Sequence, residues 1–132
     1  MENCVFCKII NGQTPADKIY EDKDIIAFLD INPVNYGHLL VIPKKHFEMM
    51  YDVPDEVLNK VFVKAKELMG IIKKAMNADY VAVAVVGVDV PHFHVHLVPR
   101  YFNDGMANFW PTKKYKENEM KETVEKIRKF VK

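Results

Sequence analysis

The decapeptide PHFHVHLVPR, Pro91–Arg100, sets imidazole against hydrocarbon at every second position. A two-residue period belongs to an extended chain, because successive side chains of a strand point to opposite faces. His92, His94 and His96 therefore share one face, while Phe93, Val95 and Leu97 turn toward a core. Pro99 predicts an end to regular pairing, since proline has no N–H to give a ladder. Any fold for this chain must carry a three-imidazole face on a strand with a buried reverse side. Thr, Lys or Glu would serve a merely solvated face, whereas histidine titrates and coordinates near neutral pH. The pattern alone leaves a metal site and a catalytic site both open.

The rest of the chain supplies partners for that strand. YVAVAVVG, Tyr80–Gly87, is continuously apolar and β-branched, which predicts a central strand buried on both faces. The short Gly87–Pro91 gap predicts an antiparallel, hairpin-like connection to the histidine strand. Ile19–Glu21 and Ile25–Leu29 read as two more strands around the polar turn Asp22–Asp24, and Gly37–Pro43 as another. Val57, Leu58, Val61, Phe62, Ala65, Leu68, Met69 and Ile72 follow three-and-four spacing, the stripe of a long amphipathic helix. Asp55 and Glu56 suit its start, and Lys73 and Lys74 its end. A second helix is predicted near Glu117–Val131, where Met120, Val124, Ile127 and Val131 share a face. Tyr101–Thr112 reads as an irregular aromatic loop. The expected fold is α+β: an antiparallel sheet of about five strands with one long packed helix and a C-terminal helix, as a single domain over 1–132.

Composition removes whole classes of function. Nineteen basic and 18 acidic residues give a net charge of +1, with no basic excess for a nucleic-acid polymer or a membrane surface. No apolar run reaches the length of a bilayer span, and Met1–Phe6 lacks the basic start and long apolar stretch of a signal peptide. A cytoplasmic location is expected, and in that reducing setting Cys4 and Cys7 are not expected to form a structural disulfide.

Cys4-x-x-Cys7 admits three readings: a redox pair, half of a zinc site, or two small buried apolar residues. A redox pair would open a helix after a strand, a pattern missing here. Asp30 closes the apolar run IIAFLD, where a carboxylate accepts two hydrogen bonds from a diol or makes an Asx turn before Asn32–Pro33. His38 is read as packing or bonding locally at a strand start, with no chemistry assigned.

Cys4–His46 together with PHFHVHLVPR resembles the histidine triad (HIT) family of nucleotide hydrolases and transferases over nearly the whole chain. The resemblance implies that His94 attacks the α-phosphorus of a nucleotide and that His96 donates to a non-bridging phosphate oxygen. An imidazole nucleophile suits this, being largely neutral at pH 7 and forming a readily hydrolysed phosphoramidate. Val5, Phe6, Ile9, Phe28 and Ile31 match the family's base pocket and Asp30 its ribose ligand; read without the resemblance, the apolar five are a packed turn and ordinary core. Cys4, Cys7, His46 and His92 match the ligands of its zinc-binding branch, a closed Cys₂His₂ set that makes the ion structural. A two-fold homodimer through the long helices and central strands is also implied.

The chain departs from the family just before the triad. VVGVDVPH, Val85–His92, has Val88 and Asp89 where many members carry glutamine and a hydroxyl residue. Gly87 still lets backbone N–H groups approach a phosphate. Asp89 either meets a cationic leaving amine, protonates the leaving group, or turns outward as a loop residue. Trp110 is read as core packing, with closure over the leaving group as the alternative. The functional expectation is a phosphoramidase or hydrolase that releases a purine nucleoside monophosphate, AMP- or GMP-like. The alternatives are a nucleotidyltransferase of the same mechanism, a catalytically weak nucleotide-binding regulatory module, and a zinc-stabilised interaction protein.

Overall fold

A computed structural model describes residues 3–106 and 111–132. In chain order its elements are α1 (Val5–Ile10), β1 (Lys18–Glu21), β2 (Ile25–Leu29), β3 (Leu39–Pro43), α2 (Asp55–Ala75), β4 (Tyr80–Ala84), β5 (Val95–Arg100) and α3 (Glu119–Arg128). All five strands join one antiparallel sheet in the order β1-β2-β3-β5-β4. The β1–β2 turn forms because Asp22 Oδ1 accepts from the N–H groups of Asp24 (2.7 Å) and Ile25 (2.8 Å).

Both faces of the sheet are covered, which decides where the site sits. On one face Val61, Ala65, Leu68 and Ile72 of α2 pack over Ile25, Ala27, Leu39, Val41, Val95 and Leu97. Burial of each such side chain is worth about 1.5–3 kcal/mol. On the other face Phe6, Cys7 and Ile9 of α1 pack over Ile26, Phe28, Leu40 and Ile42. The histidine face of the decapeptide lies on this second side, beside α1. Val5–Ile10 is thus a helix rather than the packed turn expected. Six residues carry too little periodicity to announce it, and the sheet beneath supplies its stability.

Two expectations are corrected. Tyr80–Ala84 is an edge strand, not a central one, with Tyr80 and Val83 exposed. The strand also stops before Gly87. The strands buried on both faces are β2, β3 and β5. A continuous apolar run marks a hydrophobic strand without fixing its place in the sheet order. Second, Pro99 stays in the ladder, opposite Val81. Its carbonyl accepts from Asn35 Nδ2 (2.8 Å) on the side where β3 has already ended, so its missing N–H interrupts no strand pairing. The expected C-terminal helix is α3, and its shared face is exposed at Met120, Val124 and Ile127.

Gly37 begins the turn into β3 at φ +94°, and a Cβ there would lie 2.8 Å from Met76 Cγ. Only glycine fits that crossing.

Candidate active site and metal centre

Regular pairing of β5 begins at Val95, so His92, at a bend, and His94 lie just before the strand and His96 in the ladder, opposite Leu40 and Ala84. Phe93 N–H donates to the Phe47 carbonyl (2.6 Å), which anchors this segment, and Phe93 packs in the α2 core. Each imidazole then meets a different partner, and those partners fix its proton.

His94 is buried at the edge of Phe6, the rings 5.0 Å apart at 85°. Its Nδ1 is 2.7 Å from the His92 carbonyl oxygen, which can only accept. Nδ1 therefore carries the hydrogen, and Nε2 keeps a lone pair. His96 is wired the other way. Val34 N–H donates to His38 Nδ1 (3.1 Å), so a neutral His38 holds its hydrogen on Nε2. That Nε2 lies 2.9 Å from His96 Nδ1, which must accept, leaving His96 as an Nε2–H donor. Burial pushes both rings toward the neutral form, His38 downward and His96 to about 4, with His94 adding a like-charge penalty to each. A lone pair on His94 thus sits beside a neutral donor on His96, ring centres 4.8 Å apart.

These two rings close one end of a cavity of about 400 Å³. Val5, Phe6, Ile9 and Phe28 give it apolar walls, and Ile31 and Asp30 lie at its rim. Asp89 lines it as well. Both readings of Asp30 hold together: Oδ1 accepts from Asn32 N–H (2.8 Å) in an Asx turn, while the same carboxylate borders the cavity and sits 3.6 Å from His38 Nε2. Gly87 is not among the lining residues. It is buried at φ +79°, where a Cβ would press on Met49 Sδ at 3.1 Å, so the turn there favours glycine. Among the lining residues the sequence reading missed are Thr14, Ala16, Asn32 and Val90. It also missed His38, whose strand-start position gave no sign of a ring 58 residues away. Trp110 lies outside the described residues.

Cys4, Cys7, His46 and His92 converge with their ligand atoms within 4.8 Å of one another. Cys7 Sγ is 3.3 Å from His46 Nδ1 and 3.5 Å from His92 Nδ1, and the two Nδ1 atoms are 3.2 Å apart. His92 Nε2 meets the Pro43 carbonyl at 2.9 Å and must donate to it, so Nδ1 presents a lone pair to the thiols. That is the tautomer a metal ligand needs. Cys4 caps α1, its Sγ accepting from Cys7 N–H (3.4 Å). Burial, together with the Cys4 thiol, pushes the Cys7 thiol upward, a penalty that a bound cation removes by holding thiolates. Two sulfurs and two nitrogens fit a tetrahedral zinc ion. A second trio of ligand-type atoms, Asp30, His38 and His96, does not fit a metal, because the hydrogen on His38 Nε2 occupies the space between them.

The HIT-domain family profile matches residues 11–103. The chain belongs to the HIT family. An uncharacterized HIT-like protein of Methanocaldococcus jannaschii is 46% identical over 106 residues, 77% of this chain and 82% of that one. An adenosine 5'-monophosphoramidase of Saccharomyces cerevisiae is 40% identical over 114 residues, covering 82% of this chain and 70% of its own. A HIT family protein of Bacillus subtilis superimposes with a TM-score of 0.85 at 35% identity, over 98% of both chains. A zinc-bound histidine triad protein of Mycobacterium smegmatis does so at 0.76 and 29% identity, over 97% of both. The five-stranded antiparallel α+β fold of this HIT protein is that of its solved relatives, and no described helix is long and apolar enough to cross a membrane.

Proposed function

We propose that this HIT protein is a nucleotide phosphoramidase or hydrolase that releases a purine nucleoside monophosphate through a covalent nucleotidyl-His94 intermediate. The observation that carries the reading is His94 itself: a buried imidazole with Nδ1–H tied to the His92 carbonyl and Nε2 free in an apolar cavity. His94 Nε2 forms a bond to the α-phosphorus while the bond to the leaving group breaks, and the leaving atom takes a proton from water. His96 Nε2–H donates to the phosphoryl oxygen on which charge accumulates, an arrangement that strengthens in the transition state. Water then displaces His94 from phosphorus and yields the monophosphate. The base lies among Val5, Phe6, Ile9, Phe28 and Ile31, and Asp30 accepts from the ribose hydroxyls with the lone pairs its Asx turn leaves over.

Cys4, Cys7, His46 and His92 would hold a structural zinc ion with no open position, fixing α1 and the His92 carbonyl relative to each other. Two free thiols suit a reducing, cytoplasmic setting. The protein acts as a two-fold homodimer through the β4 edge and α2, where Tyr80, Val83, Val63 and Ile71 leave apolar surface exposed. A kinetic panel of adenosine phosphoramidates and dinucleoside polyphosphates tests the activity. AMP release at enzymatic rates is expected. AMP binding without turnover would instead support a regulatory binding module, and AMP transfer to a phosphorylated acceptor a transferase.

A further inference from the structure

The described residues lining the cavity carry two carboxylates, Asp30 and Asp89, and no lysine or arginine, although the chain has 19 such cations. Nucleotide sites that take polyphosphates need positive groups against the extra charge. Here the phosphoryl end offers two imidazoles, His94 and His96, and one carboxylate. Asp30 is occupied near the rim by Asn32 N–H, with His38 3.6 Å away. Among the described residues Asp89 has no hydrogen-bond or ion-pair partner of that kind. It lines the cavity together with His94 and His96, and its charge reaches the His96 ring.

We infer that Asp89 is a specificity-determining residue: it makes the leaving-group side of the cavity select by charge, favouring leaving groups that carry a cation and rejecting those that carry an anion. The inference rests on the hydrolase reading above. In an attack by His94 the leaving group departs away from the imidazole, and Asp89, exposed in the loop before the triad, lines the same cavity as His94 and His96 and leaves its charge within reach of that group. A unit charge at the edge of solvent acts over several ångströms without a fixed contact, so selection follows net charge rather than leaving-group shape. Neither a loop-shaping role nor an outward-turned side chain would produce that signature.

Three adenosine phosphoramidates test it, built on amines of similar size whose far ends carry an ammonium, a neutral amide or a carboxylate. The P–N bond being cleaved is then the same throughout. Wild type is expected to favour the cationic over the anionic compound by about tenfold in kcat/KM, the effect of one partly solvated charge pair. That ratio should fall toward one in Asp89→Asn, persist in Asp89→Glu, and shrink as salt is raised. An equal ratio in wild type and Asp89→Asn, with the neutral compound turned over, overturns the charge filter and leaves the hydrolase reading intact. If wild type cleaves none of the three, the hydrolase reading fails, and the filter is judged from dissociation constants of the same compounds. Equal affinities across the charge series would then overturn it too.

Discussion

His38 Nε2 stands 2.9 Å from His96 Nδ1, and Val34 N–H holds the other nitrogen of the His38 ring. One backbone amide in the β2–β3 connection therefore decides where the proton sits on an imidazole of the candidate site. His38 does not line the cavity; it is a positioning residue that acts through His96.

Removing it should leave binding and lower turnover. His38→Ala is expected to reduce kcat by about ten- to a hundredfold, the usual effect of losing an orienting hydrogen bond behind a functional imidazole. AMP affinity by calorimetry should change by less than about tenfold. His38→Gln, which keeps an N–H donor, should recover part of kcat. Loss of AMP binding equal to the loss of rate would mean that His38 only supports the fold.

The same pair predicts how stability responds to acid. His38 and His96 remain neutral in the fold below the ordinary imidazole value of 6.5, His96 down to about 4. Between those values the unfolded chain binds more protons than the folded one, so stability falls as pH is lowered. Tm of the metal-loaded protein should hold steady above about pH 6.5 and drop progressively toward pH 4. The drop should be shallower in His38→Ala. A Tm independent of pH across this window would show that the two rings titrate as they do in water.

The metal centre and the cavity share α1, since Cys4 and Cys7 bracket Val5 and Phe6. About one zinc per chain should copurify, measured by elemental analysis. Cys4→Ser should release it, lower Tm and weaken AMP binding at once, because a single anchor holds both. Stoichiometric AMP binding of unchanged affinity in metal-free protein would separate the two sites.

The exposed apolar edge of β4 predicts association. Light scattering at micromolar concentration should give twice the chain mass, and Val83→Arg should return the protein to a monomer. A wild-type monomer would remove the dimer from the account.

Much of this was legible in the chain, for physical reasons that also explain the gaps. The α2 stripe from Val57 to Ile72 and the alternation of Pro91–Arg100 are periodic over enough residues to reveal element and face together. The gathering of Cys4, Cys7, His46 and His92 followed from the family resemblance, and the fold brings them together. Periodicity is silent on sheet order, so Tyr80–Ala84 was expected in the middle and lies at the edge. It is silent on a six-residue helix, so α1 was expected as a turn. The proton wiring of His38 and His96 spans two strands and a connection, and appears only once the chain is folded.

The nucleophile assignment for His94 is the centre of the account, and the decisive measurement is AMP release from a neutral adenosine phosphoramidate by His94→Ala. Losing the attacking atom affects the transition state far more than the bound ground state. The rate is expected to fall by at least about a thousandfold, while AMP affinity stays within about tenfold of wild type. A clean His94→Ala preparation that keeps a substantial fraction of wild-type turnover would contradict a reaction routed through this imidazole.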